Sequence, residues 1–153
     1  MQYAFLLLGY RQRSEAEMRQ RLERKTYSSA VIDRTLAELT RLGLLDDRDF
    51  AHSWVASRTG RGPARLKQEL ILKGIPRDLA EEAIETGLSA EDEFASAWQV
   101  ALRAVRGSSV PPDRTTLLRL RRLLQRRGFS FEVIGRVCVR LNDCFTAEGD
   151  WLE

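Results

Sequence analysis

Apolar residues recur at spacings of three and four along almost the whole chain, and no stretch sustains the alternation of a half-buried strand. Only four prolines interrupt this pattern. It predicts an all-α protein. Helix punctuation agrees. Ser14-Glu15-Ala16-Glu17 reads as a capping box, the Ser14 hydroxyl serving the third amide while Glu17 reaches back. Ser89 with Asp92 is a weaker version. Gly43, Gly74, Gly87 and Gly128 stand where helices should stop.

The chain also matches itself. The stretch Met18 to Tyr27 aligns with Leu66 to Ile75 and with Leu120 to Phe129. Each has a large apolar pair at i and i+4 (Met18/Leu22, Leu66/Leu70, Leu120/Leu124), then a base, a stop residue and another large apolar residue. A new helix follows Ser28, Pro76 or Ser130, with Val31, Leu79 and Val133 expected to point inward. Upstream, Tyr3-Ala4, Phe50-Ala51 and Phe94-Ala95 are each followed by Leu7, Trp54 or Trp98, and the two tryptophans are expected in the core. Such self-similarity indicates three tandem three-helix repeats, residues 1–45, 46–88 and 89–141, the third with a longer loop at 107–113. A residual segment, 142–153, is acidic. Units this small cannot complete a core alone, so neighbours should stack into an elongated, curved array.

Composition narrows the function. The chain has 153 residues, 43% hydrophobic and 31% charged, as in a folded protein. The apolar run Tyr3–Leu8 is too short for a membrane helix or a signal-peptide core, which predicts a cytoplasmic protein with no membrane contact. Cys138, Cys144 and His52 are too few for a structural zinc site. Cys138 lies in an apolar pattern and reads as a buried free thiol, and His52 reads as structural or exposed. Asp46 or Asp47 can cap the helix that starts near Arg48. No phosphate loop, nucleophile elbow or metal-binding helix motif occurs. The expectation is a protein without catalysis, cofactor or metal, acting as a monomer.

The basic residues are the candidate chemistry. The net charge is +3, and 22 of the 25 basic residues are arginine. Eight arginines and one glutamate fall between Arg114 and Leu141. Leu117, Leu120 and Leu124 share one helix face there, and Arg119, Arg122 and Arg126 the opposite one. Arginine forks suit phosphates and carboxylates alike, so nucleic acid and an acidic protein face both remain open, as does a merely solvated surface. Aligned positions repeat the charge: Arg19, Lys67 and Arg121, then Lys25, Lys73 and Arg127. The second set sits in a last helical turn, where a cation also favours the helix dipole. Arg58, Arg61 and Arg65 flank Gly60 and Gly62-Pro63 in what reads equally as a mobile basic loop that meets phosphate or as a solvated helix connection.

Taken together these residues resemble the RecX family, regulators of the RecA recombinase. Gly43-Leu44-Leu45-Asp46-Asp47-Arg48-Asp49-Phe50-Ala51, then Trp54-Val55 and Arg58, is similar to the family's G-L-L-D-D-x-x-F-A-x-x-W-V-x-x-R segment. Arg13-Ser14 with Glu17, Gln68-Glu69-Leu70 with Lys73-Gly74-Ile75, and Arg126-Arg127-Gly128-Phe129 with Ile134 resemble its repeat motifs. The likeness runs from Tyr3 to about Leu141. It implies binding in the groove of the RecA–DNA filament, with suppression of ATP hydrolysis, strand exchange and co-protease action. It implies a place in DNA repair, recombination and the SOS response, and direct DNA binding in some members. Three features depart from the family: Thr26 stands where glycine is usual, the 107–113 connection is longer, and the 142–153 tail is acidic.

Overall fold

In the computed structural model, residues 1–106 and 112–147 are described, and among them every regular element is helical. The helices are α1 (Gln2–Tyr10), α2 (Glu15–Arg24), α3 (Ser29–Arg41), α4 (Asp47–Ser57), α5 (Pro63–Leu72), α6 (Arg77–Gly87), α7 (Ala90–Ala104), α8 (Arg114–Arg126) and α9 (Phe131–Ala147). They fall into two compact units, Met1–Ser57 with Lys67–Gly87, and Arg58–Leu66 with Leu88–Glu153, so the dividing line runs through α5. The expected 107–113 loop lies mostly outside the described residues, as do 148–153 of the acidic tail. The first part of that tail is the last turns of α9, which continues past Leu141 to Ala147.

In the first unit Ala4, Leu7, Met18, Leu22, Ile32, Leu36, Leu39 and Leu45 form one buried cluster, and α4 packs on α6 through Phe50, Ala51, Val55, Ala80, Ala83 and Ile84. In the second, Ala97, Val100 and Ala101 of α7 meet Leu120 and Leu124 of α8 and Val133, Ile134, Val137 and Leu141 of α9. Leu117 packs against this cluster, on the same α8 face.

Two expected core patterns shift. Val31 is 48% exposed, and the position buried in all three repeats is the next one, Ile32, Ala80 and Ile134. In α7, Glu93, Ala97, Val100 and Ala101 turn inward. Trp54 and Trp98 are half-buried rather than core. Each stacks on the aromatic one turn before it, Phe50 at 5.7 Å and Phe94 at 6.4 Å.

The self-matching stretches end alike. In each, the stop residue takes positive φ: Thr26 (60°), Gly74 (80°) and Gly128 (81°). The amide after it bonds the carbonyl five residues back: Tyr27 to Leu22 (3.4 Å), Ile75 to Leu70 (3.1 Å) and Phe129 to Leu124 (3.2 Å). This is the Schellman arrangement, which satisfies carbonyls that a helix end leaves without partners. Onto two of these ends another helix start is docked. In the first unit the Ser14 hydroxyl donates to the Lys73 carbonyl at 2.5 Å. In the second the Gly62 and Ala64 amides donate to the Arg127 and Gly128 carbonyls at 2.8 and 3.1 Å. The approach is close: a Cβ on Gly74 would lie 2.2 Å from that of Ala16, and one on Gly128 would lie 2.3 Å from the Arg65 nitrogen.

Buried charges complete the helix ends. Arg13, 8% exposed, donates to the Leu7 carbonyl in the last turns of α1. Glu93, also 8% exposed, accepts from the Ser130 amide at the start of α9 at 2.6 Å. The Ser14 hydroxyl accepts from the Glu17 amide at 3.1 Å, as the capping box requires, but the Glu17 carboxylate turns elsewhere. It takes Arg11 bidentately at 2.9 and 3.0 Å and Lys73 at 2.6 Å. Asp46 caps α4 through the Arg48 and Asp49 amides, whereas Asp47 accepts from the Glu15 amide of α2 at 2.8 Å. Burial raises the Asp47 pKa, opposed by that amide and assisted by Asp46.

Two outcomes follow from these ends. Thr26 holds a left-handed conformation that costs a non-glycine residue about 1–2 kcal/mol. Glycine relieves this and gives back part of it as unfolded-chain entropy. Thr26→Gly should therefore raise stability by about 0.5–1 kcal/mol in denaturant melts, and a loss of stability would contradict the strain. Burial alone would raise the Glu17 pKa, but the Arg11 and Lys73 hydrogen bonds outweigh it and hold the carboxyl at about 2 against 4.5 when unperturbed. Its contribution is thus fully present above pH 4.5 and disappears as pH falls from 4.5 through about 2. Glu17→Gln should cost about 1.5–3 kcal/mol near neutral pH. Melts repeated near pH 2 should show that gap closing.

Candidate partner-binding face

The candidate cations divide by what surrounds them. In the first unit, Arg19 pairs with Asp33 at 2.8 Å and lies 3.9 Å from Glu15. Lys67 bonds Glu81, which also takes Arg77 at 3.2 Å. Lys73 is held by Glu17 and sits 5.3 Å above the Trp54 ring, whose indole donates to Glu69 at 3.3 Å. Lys25 lies 5.3 Å above the Tyr3 ring. These four positions therefore have intramolecular partners of opposite charge or π density, and each helps fasten one helix to another.

The second unit is different. Five arginines and no acid occupy α8. Arg119, Arg122 and Arg126 are exposed on one face and form no salt bridge with any described residue. The face exists because Leu117, Leu120 and Leu124 hold the other side of α8 against α7 and α9, and because the Asp113 carboxylate caps the helix through the Thr116 amide at 2.7 Å. The Asp113 pKa is lowered by the Thr116 side chain and amide, with Arg119 a smaller contributor. Leu118, 46% exposed, lies among the arginines of this face.

The remaining candidates are built into the unit. Arg127 reaches the Gly60 carbonyl at 3.3 Å. Burial pushes the Cys138 thiol's pKa up, and the charge of Arg121 opposes the shift. Cys138 is half-buried rather than buried, Cys144 is exposed, and both are free thiols. The connection bearing Arg58 and Arg61 is hydrogen-bonded to the rest of its unit. The Gly60 amide donates to the Ser96 hydroxyl at 2.8 Å, and the Gly62 amide to Arg127. Arg65 abuts Gly128, so Arg58, Arg61, Arg65 and Arg127 gather where the start of α5 meets the end of α8.

Further cations belong with these. Arg136 of α9 stands 4.7 Å from the Phe94 ring, and Arg140 stands 5.0 Å from Trp98 and 5.6 Å from Phe94. Arg103 and Arg106, at and just beyond the end of α7, are exposed. A helical-wheel comparison of α9 with α7 could have paired the first two with aromatics; nothing local marks the second two. Among the described residues no group of His, Cys, Asp and Glu is placed to hold a metal ion, and no helix is long and apolar enough to cross a membrane.

The same order of three-helix elements is found in known proteins. Residues 1–39, 46–84 and 91–138 match the models for the first, second and third three-helix domains of RecX. The regulatory protein RecX of Halorhodospira halophila is 36% identical over 137 residues, 86% of this chain and 81% of that protein. The regulatory protein RecX of Mycobacterium ulcerans is 36% identical over 137 residues, 87% of this chain and 79% of that protein. A crystal structure of RecX from Lactobacillus salivarius superposes with a TM-score of 0.81 at 23% identity, covering 92% of this chain and 93% of that one, which speaks to the fold. Three domain models in series and relatives matched over most of their length place this chain in the RecX family of regulatory proteins.

Proposed function

We propose that the protein is a non-enzymatic inhibitor of the RecA recombinase. It binds the RecA–DNA filament and suppresses ATP hydrolysis, strand exchange and co-protease activity. The observation that carries this reading is the match to all three RecX domains in a chain whose third repeat exposes Arg119, Arg122 and Arg126 on one helix face. A filament groove is lined by protein and by phosphates, and guanidinium forks serve both. Repeats bounded at 1–45, 46–88 and 89–141, a cytoplasmic location and a role in DNA repair and the SOS response belong to the same reading. Of the sequence-derived candidates, those of α8 and of the α5–α8 contact are the ones assigned to the partner. Arg19, Lys25, Lys67 and Lys73 are assigned to holding the fold.

A second reading, a general nucleic-acid-binding module, is favoured by the same exposed arginines, since phosphate contact alone would use them. It requires salt-dependent DNA binding without RecA.

The test is single-stranded-DNA-dependent ATP hydrolysis by RecA titrated with this protein. Inhibition is expected below one protein per RecA. The triple variant Arg119→Glu, Arg122→Glu and Arg126→Glu should need about tenfold more protein for the same inhibition. Unchanged inhibition by that variant removes the α8 face from the account. No inhibition by the parent chain, with salt-dependent DNA binding, selects the second reading.

A further inference from the structure

Where the end of α7 meets the end of α8, Val100, Ala104 and Leu123 floor a cleft of about 210 Å³, and Arg103 and Arg127 stand at its sides. Arg103 also lines a second depression of about 350 Å³ with Gln99, Leu102 and Arg106. All of these residues belong to the second unit. Arg103 and Arg106 are exposed and form no salt bridge with a described residue. Arg127 is spent only in part, on one carbonyl at 3.3 Å.

We infer that this cleft docks an acidic polypeptide segment that carries one large apolar side chain, the side chain entering between α7 and α8 and flanking carboxylates meeting Arg103, Arg106 and Arg127. Charge complementarity sets the sign of the partner. The apolar floor sets its class, because a sugar–phosphate backbone has nothing to place on Val100, Ala104 and Leu123, whereas an aromatic or leucine side chain gains by burial there. Arginine beside an apolar floor is also the composition found at the centre of protein interfaces. The inference rests on the reading of the chain as a regulator that binds another protein, and it names the chemistry of the segment recognised. The experiment below uses no RecA, so its failure and a failure to inhibit RecA are separate results.

The probe is a fluorescein-labelled octapeptide, Asp-Glu-Asp-Trp-Leu-Asp-Glu-Asp, compared by anisotropy with the same peptide carrying serine in place of Trp and Leu, and with a labelled thymidine oligonucleotide. The full chain should bind the first peptide about tenfold more tightly than the second. The double variant Arg103→Glu and Arg106→Glu should weaken that binding about tenfold, as should Ala104→Trp, which fills the cleft from an exposed position without removing charge. Equal affinity for the two peptides, no binding of either, or binding unchanged in both variants would overturn the inference. Loss of oligonucleotide binding in the double variant with no peptide binding would assign these arginines to phosphate instead.

Discussion

A helix end with no side chain in the way is the constraint on which the rest of the structure depends. At Gly74 and Gly128 the backbone must turn left-handed and also admit another helix start to within van der Waals contact of the Cα. Only glycine meets both demands. The docked starts supply the Ser14 hydroxyl and the Gly62 and Ala64 amides to carbonyls that would otherwise lack partners. They also set a partial positive helix end against a partial negative one. Thr26 shows the two demands apart: it keeps the left-handed turn but is exposed, so the residue pays in strain and not in collision.

The contact also governs where charge is used up. In the first unit the docked helix start carries Glu17, which meets Lys73 across the joint. At the matching place in the second unit stand Arg65 and Arg127, two cations. The first joint sets the Glu17 carboxylate between Arg11 and Lys73; the second sets Arg65 and Arg127 beside α8, whose own arginines have no acid among them. A chain of nearly balanced composition thus places its surplus in one unit. That surplus is what a regulator binding an anionic or acidic surface requires.

Much of this was legible in the sequence. The three-and-four periodicity located the helices, and the repeated stop after a base located their ends, though not the helix starts docked on them. The alternation of Leu117, Leu120 and Leu124 with Arg119, Arg122 and Arg126 placed the α8 face. The inward position after the stop holds at Val133, which is buried beside Ile134, but in the first repeat it falls on Ile32 and not Val31, because the two are equally apolar and only packing distinguishes them. The partners of Lys25, Lys67 and Lys73 come from other helices, and local spacing does not record them. The same is true of the Gly60 and Gly62 hydrogen bonds within the connection from α4 to α5, and of the arginines over Phe94 and Trp98.

The most direct measurement is the unfolding free energy of Gly43→Ala, Gly74→Ala and Gly128→Ala. All three glycines have positive φ, but a Cβ on Gly43 meets nothing within 4 Å, whereas those on Gly74 and Gly128 overlap a neighbouring helix start. Gly43→Ala should cost about 1–2 kcal/mol, the backbone term alone. The other two should cost about 1–3 kcal/mol more, from enforced displacement of the docked helix. Equal losses at all three positions would contradict the account, because the joints would then be ordinary helix stops with nothing resting on them.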